Sequence, residues 1–319
     1  MTELRLDGLE ADNMLAFLAL LGLVRSLETA RPDWRPRVRW SVEEPPLRPI
    51  LSVRQDVNAT TICDAAAEGL EMLASAHEFS GRKDLSHTVL QAREELSKAR
   101  STGDYHADLW SALASDVAVK VEQGKRLDRI EATPLCLLFG QGHQHFLDRL
   151  EIVPQTRSPP PRGRGKKAKP VGDAECLHEA IFQTWSYEDP TFSFRWDPVE
   201  DVRYALMPGD PSVVANKGGT QHGANRLAAI GLSVATVVPV IRGGQVRLSV
   251  LGGARTDSFC FRWPIWRPEL SLDAIRAVLS RDDLDDPIAR SGMEVEWLME
   301  AKRITVGKFM NFTRARPTG

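Results

Sequence analysis

The stretch Asn13-Met-Leu-Ala-Phe-Leu-Ala-Leu-Leu-Gly-Leu-Val-Arg25 carries the strongest structural signal in this chain of 319 residues. Asp12 or Asn13 can cap a helix at its start, and Arg31-Pro32 can end it, so we predict a helix over 13–29. The residues are apolar on almost every side of that helix, a pattern typical of a helix inside a core. We therefore expect it to be deeply buried.

The same stretch is too short to cross a membrane. Its uninterrupted apolar run, Met14 to Val24, has eleven residues, about half of the ~20 that a membrane helix needs. Acidic residues precede the run, where a signal peptide carries basic ones. We expect a soluble, cytoplasmic protein with no membrane partner. The four cysteines contain no CxxC pair and are typical of free thiols in a reducing compartment.

The overall composition is that of an ordinary globular protein, with 42% hydrophobic and 26% charged residues. Lys and Arg number 41 against 43 for Asp and Glu, a net charge of −2. This balance excludes a strongly basic chromatin-type protein and, taken as an average, gives no reason to expect a nucleic-acid partner. The length predicts roughly two domains of about 150 residues.

Hydrophobic periodicity predicts a mixed α+β fold, with a helical N-terminal half and a C-terminal half that contains an antiparallel β-hairpin. The predicted helices cover 13–29, 60–77, 85–98, 104–121, 174–185, 272–279 and 287–300. The predicted strands cover 4–6, 37–42, 192–196, 236–241, 246–251 and 258–265, and a basic strand-like tail closes the chain. Gly243-Gly244 lies between two of these strands and predicts a tight hairpin turn.

One segment stands apart in composition. Ser158 to Pro170 is rich in proline, glycine and basic residues and has no large apolar side chain, so it cannot form a packed core. We predict a disordered basic loop over 156–172. It separates a mainly helical region with short strands, 1–155, from an α+β region with a basic tail, 173–319.

A search for catalytic groups finds two weak candidates. His143 and His145 form an HxH in the glycine loop 140–146, and on a strand both imidazoles would face one side and could share a metal. No third ligand is evident nearby, so a turn or contact loop is the favoured interpretation. Carboxylates also cluster at Asp189, Asp197, Glu200, Asp201 and Asp210, but three of them precede proline, which favours turns. We expect no catalytic residue, no metal site and no cofactor.

Charge distribution is more informative than net charge. Two segments are basic and contain no acid: 157–169, with six basic residues, and 302–316, with five, interleaved with Phe309 and Phe312. Residues 281–300 offset them with seven acids against two arginines. Basic side chains neutralise phosphates, and aromatic rings can stack on unpaired bases. The alternative is a solvated linker and an ordinary basic terminus.

Four groups of motifs together resemble subunits of type I-U (also called I-G) CRISPR effector complexes. They are the opening Asn13 to Arg25 helix followed by Trp40; the Pro134 to Phe146 stretch; Arg195-Trp-Asp-Pro198 with Asp201-Val-Arg-Tyr-Ala-Leu206 and Gly223-Ala-Asn-Arg-Leu-Ala228; and Arg303-Ile-Thr-Val-Gly-Lys-Phe309. They cover about a third of the chain, and the large subunit that they resemble is typically about twice as long.

The resemblance implies a non-catalytic subunit of an RNA-guided antiviral surveillance complex, with other effector subunits, crRNA and target DNA as partners. The protein would contribute to binding the crRNA and the flanking motif of the DNA, and to assembly. The expected nucleic-acid-binding residues are Arg157, Arg162, Arg164, Lys166, Lys167, Lys169, Arg226, Lys302, Arg303, Lys308, Phe309, Arg314 and Arg316. The expected contact loops comprise Gly140, Gln141, Gly142, His143, His145 and Asn225. The alternatives are a metal-dependent nuclease or hydrolase that uses His143 and His145, and a protein–protein adaptor in phage defence.

Overall fold

The computed structural model describes residues 1–140, 144–163, 168–199, 219–255, 257–306 and 309–318. Its α-helices are α1 (Met14–Ala30), α2 (Ala59–Ala74), α3 (Val89–Thr102), α4 (Asp104–Leu113), α5 (Phe146–Gln155), α6 (Asp173–Phe182), α7 (His222–Gly231), α8 (Leu272–Leu279) and α9 (Pro287–Gly292). Its strands are β1 (Thr2–Arg5), β2 (Arg37–Trp40), β3 (Pro49–Val53), β4 (Val119–Glu122), β5 (Lys125–Ile130), β6 (Val237–Arg242), β7 (Gln245–Val250), β8 (Gly253–Arg255), β9 (Phe259–Trp266), β10 (Val295–Val306), β11 (Phe309–Phe312) and β12 (Arg316–Thr318). The predicted α+β class is confirmed.

Helix α1 lies at the centre of the core, as its sequence predicts. Asn13 caps it by accepting hydrogen bonds from the backbone of Leu15 and Ala16. The helix packs against α2 and, most extensively, against α7 of the C-terminal region. Buried apolar residues from Leu6 to Ala315 form one continuous cluster. The two regions on either side of 156–172 therefore share a single hydrophobic core.

Two antiparallel sheets border this core. Strand β3 lies between β1 and β2 in the smaller sheet, and the larger has the order β11-β10-β9-β8, with β12 also paired to β10. Two tryptophans of β9 fasten the larger sheet to the N-terminal region. The indole of Trp263 stacks on Phe17 and donates to the carbonyl of Ala11, and that of Trp266 donates to the carbonyl of Val38.

Three predicted elements are wrong in type over all or part of their length. The helix predicted over 104–121 ends at Leu113, and the chain then forms the β4–β5 hairpin. The helix predicted over 287–300 ends at Gly292, and strand β10 begins at Val295. The strand predicted over 192–196 has no ladder partner among the described residues. Phe194 and Trp196 are buried there and stack on each other, and Phe192 is half-buried. In each case tertiary contacts, rather than local periodicity, select the structure.

Within the described residues, none of the helices combines the length and the apolar character that crossing a bilayer requires.

Candidate nucleic-acid interface

Two β-hairpins outside the main sheets flank a cleft. Hairpin β4–β5 turns at Gln123 and Gly124, which both have positive φ angles, and hairpin β6–β7 turns in the same way at Gly243 and Gly244. Such two-residue turns match the twist of the strands that they join. The hairpins are linked near their bases because the Glu131 carboxylate accepts a hydrogen bond of 3.1 Å from the backbone of β7.

We call the space between them the basic cleft, and its volume is about 420 Å³. It is lined by Asp84, Leu85, Ser86, Lys120, Val121, Arg129, Ile130, Glu131, Ala132, Thr133, Cys136, Leu138, Phe139, Arg247, Arg303 and Met310. These residues come from both hairpins, from the loop that precedes α3, from the 131–139 segment and from strands β10 and β11. Long-range packing therefore creates the cleft, which no continuous stretch of sequence encodes.

Four cations line the basic cleft: Lys120, Arg129, Arg247 and Arg303. Two carboxylates accompany them among the described lining residues, and each has a partner within the protein. Asp84 Oδ2 lies 2.8 Å from the imidazole of His145, and Glu131 lies 3.8 Å from Arg247 besides its backbone contact. The cleft therefore carries an excess of positive charge, which attracts anions.

The cations of the basic cleft differ in how firmly they are held. Arg303 donates to the carbonyl of Pro134 at 3.0 Å, and its guanidinium lies 5.3 Å from the centroid of the Phe259 ring. Lys120 and Arg129 are exposed, and Lys120 pairs with the exposed Glu122, an interaction worth about 0–1 kcal/mol. Their charges are therefore available to a ligand at little cost.

The described part of the predicted glycine loop follows directly after Phe139, which lines the basic cleft. Phe139 and His145 face each other across an antiparallel bridge, and the Gly140 N–H donates to the carbonyl of Gln144 at 2.7 Å. Gly140 has a φ of 79°, which favours glycine. Gln141, Gly142 and His143 lie outside the described residues. The ring of Phe139 is 45% exposed beside the cleft.

Behind this loop, Arg195 connects three of the segments that carry the family resemblance. Its side chain is 1% exposed, and it donates to Gln144 at 3.1 Å and to Asn311 at 3.3 Å. Its guanidinium lies 4.2 Å from the Phe309 ring centroid, within cation–π range. Arg195 also has a φ of +64°, a conformation that costs a non-glycine residue about 1 kcal/mol or more and that clusters at functional sites.

The neighbouring residues extend this junction to the opening helix. Asp197 accepts a hydrogen bond of 3.3 Å from Asn13, the cap of α1, and the Trp196 indole donates to the carbonyl of Leu135 at 2.9 Å. The stretches 13–25, 134–146, 195–198 and 303–309, far apart in the chain, thus meet at one place. The part of the resemblance at 201–206 lies outside the described residues.

The basic loop is only partly described. Backbone hydrogen bonds join Arg162 and Lys169 in both directions, while Arg164, Lys166 and Lys167 lie outside the described residues. Arg162 forms a bidentate pair with Glu179 and a further bond of 2.7 Å to Asp189, which is fully buried. These contacts raise the pKa of Arg162 and direct its charge into the protein. Lys169 is exposed.

The other predicted basic residues also differ in accessibility. Arg157 pairs with Glu71 on the surface, whereas Arg226 is 1% exposed and pairs with Asp173. Arg314 is 47% exposed and binds both Glu10 and Asp12. Lys302 and Arg316 are exposed on β10 and β12, and Lys308 lies outside the described residues. Asn225, predicted as a contact residue, is 1% exposed and donates to the carbonyl of Gln221.

The HxH can be assessed only at its second histidine. The His145 ring contacts Asp84, and the described residues contain no group of three His, Cys, Asp or Glu side chains placed to hold a metal ion. Cys136 lines the basic cleft, but burial raises the pKa of its thiol to about 12, so it is neutral and weakly nucleophilic.

Sequence reasoning finds Arg303 but misses Lys120, Arg129 and Arg247. The alternation around Val119 and Val121 and the Gln123-Gly124 pair are signals of the β4–β5 hairpin, although Gln-Gly is a weaker turn signal than Asn-Gly. The helical interpretation of 104–121 conceals this hairpin and the cations on it.

No protein family, curated protein or solved structure matches the chain.

Proposed function

We propose that this protein is a non-catalytic subunit of an RNA-guided antiviral surveillance complex of the type I-U CRISPR kind, and that it binds nucleic acid in the basic cleft. The observation that carries the proposal is the meeting of four cations from separate chain segments beside the glycine loop. Four of the stretches that carry the family resemblance, 13–25, 134–146, 195–198 and 303–309, are joined behind the same loop. The subunit would contribute to crRNA and target-DNA binding and to complex assembly.

The physical basis is the release of counterions from phosphate groups. Each phosphate that a Lys or Arg neutralises lowers the slope of log affinity against log salt by about 0.7 for a single strand and about 0.9 for a duplex. The four cations of the described lining outnumber its two carboxylates even though Glu131 lies 3.8 Å from Arg247, so the cleft keeps a net positive charge. A polyanion is therefore the ligand class that best fits the charge of the basic cleft.

The first experiment measures backbone binding. We expect Lys120→Glu combined with Arg129→Glu to weaken the binding of a fluorescent RNA and to reduce the salt slope by about 1.4 for a single strand, twice the value for one contact. The matched control reverses two exposed arginines outside the cleft, Arg35→Glu with Arg54→Glu. Equal losses in both double variants would show that only the net charge matters and would refute a cleft-specific site.

The second experiment tests the assembly. The tagged chain is coexpressed with its neighbouring genes and with any repeat array among them, and the RNA that copurifies is sequenced. We expect repeat-derived guide RNA and effector subunits in the purified material. Copurification of unrelated cellular RNA, without other subunits, would contradict a role in a guided complex. Metal analysis of His143→Ala beside the wild type tests the nuclease alternative, which predicts bound metal that this change removes.

A further inference from the structure

The basic cleft has a second property, an apolar floor beneath its charged rim. The floor is formed by aliphatic and sulfur-containing side chains together with one aromatic ring: Leu85, Val121, Ile130, Cys136, Leu138, Phe139 and Met310. Four of these residues are at least 90% buried, while Phe139 keeps 45% of its surface exposed. Exposed aromatic surface next to cations is suited to a ligand that is itself part apolar and part anionic.

From this combination we infer that the basic cleft holds an unpaired nucleotide, with its base against Phe139 and its flanking phosphates at Arg129 and Arg247. The inference rests on the proposed nucleic-acid function and names the form of the ligand, a single strand. The volume of about 420 Å³ lies in the range of about 300–1,000 Å³ typical of small-molecule sites. It suits one nucleotide and is too small for a helix.

The apolar floor is the feature that separates single strands from duplexes. In a duplex the base faces are stacked on one another, and a protein meets only phosphates, sugars and base edges. An unpaired base can place its face on an aromatic side chain, an interaction worth about 1–3 kcal/mol per base. The cationic rim alone would bind both forms, whereas Phe139 contributes only when a base is free.

An acidic peptide with apolar side chains is the competing occupant. The arrangement favours the nucleotide because the exposed floor residue is aromatic and cations line the same cleft, so one ligand can offer a flat base to the ring and phosphates to the cations. An acidic chain such as polyglutamate would match the charges without using the ring face. The two occupants therefore differ in their dependence on the aromatic ring.

The experiment measures anisotropy with a fluorescent oligouridylate, alone and annealed to oligoadenylate. We expect the wild type to bind the single strand more tightly than the duplex. Phe139→Ala should weaken single-strand binding by about fivefold or more, with the salt slope and the duplex affinity unchanged. Phe139→Trp should keep the preference for the single strand, because it retains an aromatic face. Ile288→Ala, which removes an apolar side chain 82% exposed at a distant helix, is the matched control.

The outcomes separate this inference from the proposed function. If Phe139→Ala has no effect while Lys120→Glu with Arg129→Glu weakens both ligands, the nucleotide site is refuted and backbone binding stands. If the wild type binds neither ligand at low salt, both proposals fail. If polyglutamate displaces the single strand as effectively as unlabelled oligouridylate of equal charge, the occupant is an acidic peptide and the inference is overturned.

Discussion

The crossing of α1 and α7 leaves no room for a methyl group at Gly22, and Gly22→Ala tests how closely the two halves of the chain are packed. A Cβ atom at Gly22 would lie 1.8 Å from the carbonyl oxygen of Leu227 and 2.6 Å from its carbon. The crossing is reciprocal, because a Cβ at Gly231 would lie 1.9 Å from the carbonyl oxygen of Leu18. Both obstacles are helix backbone, which cannot rotate away.

Two effects of opposite sign decide the outcome of Gly22→Ala. Alanine is a better helix former than glycine by about 1 kcal/mol, which would stabilise the protein. Closest C···O contacts are about 3.3 Å, so the helices must separate by about 1.5 Å at the crossing. Overpacking of this kind costs about 1–3 kcal/mol and sometimes more. A contact this short belongs at the upper end of that range. After the gain in helix propensity is subtracted, we expect the free energy of unfolding to fall by about 2 kcal/mol.

The assay is urea unfolding followed by tryptophan fluorescence, which reports on the buried Trp263 and Trp266. We expect a lower midpoint with an unchanged m-value, since the mutation alters stability and not the surface exposed on unfolding. Gly292→Ala is the control, because its Cβ would meet no atom within 4 Å, and we expect a change within about 0.5 kcal/mol. A Gly22→Ala protein as stable as the wild type would refute the close approach of the two helices.

Three further predictions concern buried charge and backbone strain. Burial lowers the pKa of both His77 and His222 to about 4. The unfolded chain therefore binds more protons than the folded one below about pH 6.5. We expect the midpoint of urea unfolding to fall as the pH is lowered from 7 to 5, and to fall less in the His77→Gln variant. Gly140→Ala should lower the thermal midpoint more than Gly124→Ala. Both positions have positive φ, but among the described residues a Cβ at Gly140 would lie 3.3 Å from the His145 ring, whereas a Cβ at Gly124 would meet no atom within 4 Å. Arg162→Met should cost about 3–5 kcal/mol of the free energy of unfolding, because it removes the cation that pairs with the buried Asp189. RNA affinity that fell instead, at constant stability, would favour a direct contact.

Local sequence patterns predict those parts of the fold where one residue pattern permits one structure. Asn13 and the apolar run after it predict α1 to within one residue at either end, and Gly243-Gly244 predicts the β6–β7 hairpin. The pattern of 287–300 is ambiguous, because a short amphipathic run can be a helix or half of a ladder. Its second half becomes β10 since β9 supplies backbone partners from Trp266 to Cys260, and no local rule anticipates that pairing.

The candidate site is less predictable than the fold, for a different physical reason. The sequence marks Arg195 as part of a motif, but not its positive φ or its contact with Gln144, which lies 51 residues away. Both accompany the packing of the 192–196 aromatic stretch against Leu135 and Phe146. The local pattern of that stretch favours a strand. The junction at Arg195 exists because tertiary packing overrides this local preference.

Charge is where sequence and structure differ most, and the difference bears directly on the proposed function. Runs of basic residues without acids appear available for phosphates, yet the fold brings distant carboxylates to several of them: Glu179 and Asp189 to Arg162, and Glu10 and Asp12 to Arg314. The basic cleft is assembled in the opposite way, because three of its four described cations, Lys120, Arg129 and Arg247, lie outside the acid-free runs. A near-neutral chain can thus hold a locally positive site wherever its acids are committed elsewhere. Charge reversal at Lys120 and Arg129 should therefore weaken RNA binding more than the same reversal at Arg157 and Arg314, although only the latter pair lies in acid-free runs of sequence.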